Sequence, residues 1–499
     1  MNANAIAHPT EEGARALRYA ALLATYLQSV NLPLPNAALR FIQGSLSMAD
    51  DQVGWIFTAY FAASAITLPI ASWLAARFGL RRVYLLALAV FALGLVLATL
   101  STTPLAFSGA RIIQGAASGV LGPLSMAIAL ETLPAARRAK FGVVLTAIVL
   151  SGIASGPSIG GWVSEYFGWR AMFYFGLPVT AYLFLVMGLS LAEKKAAQRP
   201  PFDFFGYGSF TLGVIGLQML LDRGERLDWF ASTEICVEAL ASALGFYLFA
   251  VHRLTAKTHF LGKHLFRDRN FVLSTLIFFA LGFVLLPTLA LTSPMLDEIL
   301  GYPPITTGCL TLPRGAGLVG AFLLAARLPE RIDPRLVVAA GVATVAYANW
   351  LMLGFSPLMD WRPVAVAGAL QGIGLGVLMP SISKVAFSTL DPQFRPEATG
   401  LFNLARIYGS TLGIAIVQTY FFNNMQAMHM ALGSNLTPFQ GAGAALAASG
   451  ASAALVGVNE MVTGQAAFVS VLGQFKVLML AMLAVAPLVP FLRKPNPAS

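Results

Sequence analysis

The sequence predicts an all-α polytopic membrane protein whose fourteen transmembrane helices are arranged as six plus two plus six. Three observations lead there: a composition too apolar for water, apolar runs of membrane-spanning length along the whole chain, and a block that recurs at a fixed offset. Of 499 residues, 57% are hydrophobic and 11% charged, whereas soluble domains carry about 25% charged residues. With a mean hydropathy of +0.73, folded soluble domains would lack polar surface. Disordered, collagen-like, coiled-coil and disulfide-scaffold classes are excluded on the same ground. Cys236 and Cys309 fit no metal-ligand or disulfide pattern, so neither a metal nor a cofactor is expected. A net charge of +10 need not mean a nucleic-acid partner, because cytoplasmic loops of membrane proteins gather Lys and Arg.

A helix crossing the ~30 Å hydrocarbon core needs about 20 mostly apolar residues. The first such run is 17–37, interrupted by Pro33 and Pro35. Runs 54–75 and 83–101 flank a short basic turn with Arg77, Gly79, Arg81 and Arg82. Run 105–130 ends at Glu131, and Arg137, Arg138 and Lys140 precede run 141–163. Run 170–191 stops before Lys194, Lys195 and Arg199. A closely spaced pair follows at 204–221 and 233–252, then runs at 271–294, 305–326, 335–356, 363–386, 399–421 and 475–492. Internal prolines such as Pro69, Pro123, Pro157, Pro287 and Pro380 are tolerable, because neighbouring helices re-satisfy the freed backbone groups.

Placing the N-terminus inside puts most basic residues on the cytoplasmic side and leaves Arg40, Arg170, Arg223, Arg226, Arg362 and Lys476 outside. Both termini are therefore expected in the cytoplasm, in a multi-pass cytoplasmic (inner) membrane protein. The first residues lack a basic region and a cleavage site, so no removable signal peptide is expected.

The fourth run holds Gln114-Gly115 followed by Gly119-Val120-Leu121-Gly122-Pro123. The twelfth holds Gln371-Gly372 followed by Gly376-Val377-Leu378-Met379-Pro380. Gln, Gly, Gly, Val, Leu and Pro thus recur at one offset, and Ala75-Ala76-Arg77 is echoed by Ala325-Ala326-Arg327. Gly142 is set opposite Gly400 in the fifth and thirteenth runs. The expected domains are an N-terminal six-helix bundle at 14–200, two linker helices at 201–262, and a C-terminal bundle at 263–495 with an external loop at 422–474. Duplicated halves of this kind belong to transporters, with a substrate path between the halves near the membrane midplane. Neither a metalloprotease motif nor a phosphate-binding loop occurs, and an enzyme is not expected.

Residues 151–161 read SGIASGPSIGG, so Gly152, Gly156 and Gly160 lie on one helix face, with Pro157 and Gly161 beside them. Glycines at this spacing form a groove that another helix can enter. The segment resembles the antiporter motif of helix 5 in the major facilitator superfamily, and Arg111-Ile112-Ile113-Gln114-Gly115 resembles its helix 4 motif. Pro313-Arg314-Gly315 and Asn403-Leu404-Ala405-Arg406 with Gly409 and Gly413 resemble signatures of its fourteen-helix drug:proton antiporter branch, of the EmrB/QacA type. The external loop, with Thr437-Pro438 and Val462-x-x-Gln465-Ala466, fits the EmrB side of that type. The resemblance implies a proton-motive-force-driven multidrug or toxic-compound exporter working by alternating access. It implies an amphipathic small-molecule substrate, protons and membrane lipid as partners, with a periplasmic adaptor and an outer-membrane channel as further ones. A dedicated exporter of a metabolite or siderophore on the same fold is the alternative.

Two departures matter. Ser72 and Ala76 replace a glycine and an acid in the loop after helix 2, and Asn31 stands where helix 1 of this branch carries an acid. Neutral, zwitterionic or anionic substrates are therefore expected over dications. Arg111, Arg314 and Arg406 lie within spans, where each costs roughly 2.5–3.5 kcal/mol at a helix centre. Arg111, Gln114, Glu131, Asn31 and Arg406 are the candidates for proton coupling and cavity polarity. Arg111 is also expected to bond helix 1 through Asn31 or Gln28. Tyr26, Gln28, Trp55 and Tyr60 are the expected cavity lining, since helices 1 and 2 face the cavity in the resembled fold. The helix 5 glycines with Pro157, together with Arg77, Gly79, Arg81 and Arg82, are the expected conformational motifs.

Overall fold

The structure is a computed structural model, and it describes residues 11–49, 52–192, 202–224, 227–255, 263–328, 332–391, 395–434 and 452–493. Lys194, Lys195, Arg199, Arg226, Arg331 and the Thr437-Pro438 pair lie outside them. The described residues are helical or irregular. In chain order the helices are α1 (Glu11–Asn31), α2 (Leu39–Leu46), α3 (Trp55–Thr67), α4 (Ala71–Phe78), α5 (Leu80–Leu100), α6 (Pro104–Glu131), α7 (Ala135–Phe167), α8 (Ala171–Tyr174) and α9 (Gly176–Ser190). They continue as α10 (Phe204–Arg223), α11 (Thr233–Thr255), α12 (Arg269–Pro294), α13 (Pro304–Ala326), α14 (Pro334–Met352), α15 (Trp361–Ser388), α16 (Arg395–Ser434) and α17 (Ser452–Val485). Thirteen segments among the described residues are long and apolar enough to cross a membrane, with α3 and α4 counted as one kinked span and α8 with α9 as another. The fourteenth long helix is α1, made less apolar by Glu11, Glu12, Arg15 and Arg18 in its first turns. Below, the near face is the one at which α1 begins, and the far face is the opposite one.

The first apolar run is not one helix. After Asn31 the α-helix stops, and Leu34–Ala38 forms a 3-10 turn that leads into α2. Pro33 and Pro35 have no N–H to give, and a proline ring clashes with the carbonyl one turn earlier. Pro69 has a milder effect, tightening Leu68–Ile70 into a 3-10 turn between α3 and α4.

The other correction is at the chain's end. The final helix begins at Ser452 rather than near residue 475, and α16 runs unbroken to Ser434. Ala466, Phe468, Ser470 and Val471 are already buried, and Gln474 donates to the Val417 carbonyl of α16 at 2.6 Å. Lys476 is therefore mid-helix and exposed rather than at the outer start of the span. At 1.5 Å per residue, the 40 residues of α16 are about 60 Å long, roughly twice the hydrocarbon core. Beyond the bundle, α16 and α17 run side by side, joined by Asn424 to Ser470 and His429 to Asn459.

The recurring block does the same mechanical work twice. A Cβ on Gly115 would overlap the Tyr60 carbonyl of α3, and one on Gly372 would overlap the Arg314 carbonyl of α13. One turn on, Gly119 faces the Ser64 carbonyl and Gly376 the Leu318 carbonyl. A second pair shares that offset. Gly152 and Gly156 of α7 bring in Ser29 and Pro33, while Gly409 and Gly413 of α16 bring in Phe279 and Phe283 of α12. The expected pairing of Gly142 with Gly400 is not a packing pair, since nothing lies within 4 Å of a Cβ at either position. The register of the helix 5 repeat is set by Gly152 and Gly409 instead.

The two linker helices form a hairpin clamped at both ends. Arg223 pairs with Glu234 at 2.7 Å and Glu238 at 2.9 Å, and Asp203 meets His252 at 2.8 Å. Between the clamps, Gly213, Gly216 and Gly245 let the backbones touch. Asp203 also caps α10 by accepting from the Gly206 N–H.

Candidate substrate cavity and coupling site

Breaking α1 at Asn31 leaves carbonyls without helical donors, and Arg111 of α6 supplies them. Its guanidinium donates to the Asn31 carbonyl at 3.2 Å, the Leu32 carbonyl at 3.1 Å and the Ile56 carbonyl of α3 at 3.1 Å. It also donates to Asn31 Oδ1 and Gln114 Oε1, each at 2.8 Å, and lies 4.6 Å from the Tyr60 ring centroid. Arg111 is fully buried. A cation at a helix C-terminus also meets the negative end of the helix dipole. The expected bond to helix 1 is thus made through Asn31. Gln28 does not reach the guanidinium: its carbonyl accepts from Tyr60 Oη at 3.2 Å, and its side chain lies against Gly122.

Gln114 passes the network on, donating to the Gly94 carbonyl of α5 at 2.8 Å. Tyr60 Oη also bonds Ser118 of α6, and Tyr26 Oη bonds Ser155 of α7 at 2.8 Å. Tyr60 is buried, whereas Tyr26, Gln28 and Trp55 are half-buried. Arg111, Asn31, Gln114, Gln28 and Tyr60 form one connected cluster, while Tyr26 belongs to the α1–α7 seam and Trp55 opens α3 at the far face. Glu131 is exposed at the near-face end of α6, about 30 Å along the helix from Arg111 at 1.5 Å per residue. The structure does not bring it to the cluster.

The helix 5 glycines hold the broken segment. A Cβ on Gly156 would meet Pro33 Cγ, and one on Gly160 would overlap the Leu34 carbonyl. Gly161 faces outward from this seam, against the Pro304 carbonyl of α13. Farther down, Gly308 of α13 lies on the Pro157 carbonyl, Gly315 on Ala154, and Ser158 Oγ donates to the Gly308 carbonyl at 2.7 Å. Asn36 Nδ2 crosses to α12, donating to the Leu289 carbonyl and Ser293 Oγ at 2.8 Å each. Gly54 abuts Gln418 of α16. These contacts, which sequence periodicity could not locate, close the space between α1, α3 and α7 on one side and α12, α13 and α16 on the other, toward the far face.

At that closure Phe57, Phe61, Leu286, Leu289 and Ile414, among others, line a small apolar pocket with room for about one water, with Asn36 as its polar group. At the near-face turn, Gly79 has φ +94°, where a side chain would be strained, and Arg81 donates to the Gly188 carbonyl of α9 at 2.5 Å. Arg77 is half-buried, and Ser72 and Ala76 are exposed. Arg82 makes further contacts of its own.

Many helices long and apolar enough to cross a membrane, packed on one another through small-residue seams, are what a multi-pass membrane transporter is built of. The chain belongs to the major facilitator superfamily, whose family model, described as Major Facilitator Superfamily, matches residues 20–414. Among curated relatives it is 26% identical over 419 residues to the multidrug export protein EmrB of Escherichia coli, covering 84% of this chain and 82% of that one. It is 29% identical over 421 residues to the fatty acid resistance protein FarB of Neisseria gonorrhoeae, with the same coverages. Among solved structures it resembles a bacterial homologue of the human lysosomal transporter Spinster, with a TM-score of 0.67 at 14% identity. That likeness covers 97% of this chain and 99% of the other.

Proposed function

We propose that this chain is a proton-motive-force-driven secondary exporter of the cytoplasmic membrane that moves amphipathic toxic compounds outward by alternating access. The carrying observation is the set of close contacts through Asn36, Gly161 and Gly308 by which α7 and the turn after α1 meet α12 and α13 toward the far face, around a small apolar pocket. The multidrug and fatty-acid-resistance names of the relatives agree with such a cargo. In this reading the near face is cytoplasmic, both termini lie there, and six-helix halves rock about the seams with the α10–α11 hairpin at their periphery. Proton occupancy drives the cycle only by favouring one face of the rocking equilibrium over the other. Asn31 cannot titrate, so the proton is carried elsewhere than at that position. The α16–α17 extension, with Met430 and Met461 exposed, is a surface on which a periplasmic adaptor leading to an outer-membrane channel would dock.

Everted vesicles with an acidic lumen test the reading. A weakly acidic amphiphile should accumulate against the direction in which the pH gradient alone would distribute it, and nigericin should abolish the accumulation. Equal accumulation after collapse of the gradient overturns proton drive.

A further inference from the structure

The recurring block relates the far-face contacts to one another. Asn36 and Ser293, bonded at 2.8 Å, are 257 positions apart, which is also the offset of Gln114 and Gln371. Gly54 and Pro304 stand equally far ahead of Arg77 and Arg327, and Gly161 and Gln418 equally far beyond Gly156 and Gly413. The contacts of Gly161 with Pro304 and of Gly54 with Gln418 are therefore counterparts in the repeat. Toward the far face two seams match, α7 on α13 and α3 on α16.

Toward the near face they differ. α7 and α13 stay in close contact through Pro157 with Gly308 and Ala154 with Gly315, and Ser158 Oγ donates to the Gly308 carbonyl at 2.7 Å. α3 and α16 are instead bridged by the linker hairpin. Tyr207 Oη of α10 donates to the Ile66 carbonyl of α3 at 3.0 Å. One turn on, the Phe210 ring meets the Tyr408 ring of α16 edge-on, with centroids 6.4 Å apart. Phe202 and Phe204, at the start of α10, pack on Trp73 of α4 with centroids 4.5 and 6.1 Å away. The hairpin thus holds the N-terminal group by a hydrogen bond and packed rings, and it meets α16 through a ring edge. There Tyr408 Oη is buried without a hydrogen-bond partner among the described residues. A directed hydrogen bond fixes one register, whereas a ring edge accommodates the small sliding by which packed helices shear.

We propose that the α10–α11 hairpin is a latch carried by the N-terminal group: it moves with α3 and α4, and its Phe210 edge slides on α16 as the seam between α3 and α16 works. The inference rests on the rocking of the export reading, to which it adds the part played by the two linker helices.

The test is pulsed-EPR distance measurement on the full chain in lipid nanodiscs, after Cys236→Ala and Cys309→Ala. Spin labels are placed in pairs on Gly208→Cys of α10, Leu86→Cys of α5 and Leu336→Cys of α14. Gly208 has open space around it, and both leucines are exposed. Distances are read at pH 8 and pH 5. The Leu86–Leu336 distance reports the rocking itself and should shift between the two. The Gly208–Leu336 distance should shift with it, while Gly208–Leu86 stays unchanged. Tyr207→Phe, which deletes only the hydroxyl, should broaden the Gly208–Leu86 distribution, and Phe210→Ala should leave its width as in the parent. A Gly208–Leu86 shift that accompanies the rocking, or an unchanged width in Tyr207→Phe, overturns the latch and leaves the export reading standing. A constant Leu86–Leu336 distance overturns the rocking and the latch together.

Discussion

Arg111 shows how one side chain substitutes for missing backbone donors. Its bonds to the Asn31, Leu32 and Ile56 carbonyls tie the broken first helix to α3 and α6 without any acid. Arg111→Ala would take the donor from the Asn31 and Leu32 carbonyls at the break in α1, at about 1–3 kcal/mol each. It is expected to lower the melting temperature in detergent by several degrees and to abolish transport, as read by a fluorescence melt and vesicle uptake. Arg111→Lys should recover only part of both, because one ammonium cannot span acceptors on two helices. Asn31→Asp would set a carboxylate 2.8 Å from the guanidinium. Vesicle uptake should then include lipophilic monocations that the parent refuses, and unchanged refusal would show that this position does not set charge selection.

The elements were largely legible as spans, because apolar length is a local property of the chain. Their bends were legible too, since Pro33, Pro35 and Pro69 act within one turn. What failed was the last boundary. Residues 452–474 look too polar to belong to a span, yet Gln474 and Ser470 face α16 or its own extension and bond there. Glycine substitutions distinguish packing from mere composition. Gly160→Ala would force a methyl into the Leu34 carbonyl, and overpacking of this kind costs typically 1–3 kcal/mol; loss of uptake together with a lowered melting temperature is the expected result. Gly142→Ala, with open space around it, should raise stability by about 0.5–1 kcal/mol and leave uptake intact.

At the scale of the whole molecule, function depends on seams that open and close. Asn36 and Ser293 are bonded at 2.8 Å across the far-face closure. With Cys236 and Cys309, both exposed, first replaced by Ala, the pair Asn36→Cys and Ser293→Cys should cross-link under mild oxidation. Transport should stop and return on reduction. Full transport by cross-linked protein would mean that this closure does not open in the cycle. The candidate site was only partly legible beforehand. The helix 4 and helix 5 motifs pointed to Arg111, Gln114 and the glycine face, and an arginine in an apolar run is conspicuous by its cost. Nothing local told which carbonyls an arginine would meet, and Glu131 gave no sign of being far from the cluster.

Composition, span length, charge bias between loops and the repeated block by themselves determined the membrane class, the number of long helices and the kinship of the two sets of glycines. These follow from transfer of side chains into lipid and from spacing along one helix, both readable residue by residue. Only the tertiary structure decided that Arg111 serves as a surrogate backbone donor while Arg314 donates across to the Leu285 carbonyl of α12, and that Gly409 rather than Gly400 answers the helix 5 groove. Those outcomes depend on which helix a side chain meets, and that is set by contacts between residues more than a hundred positions apart.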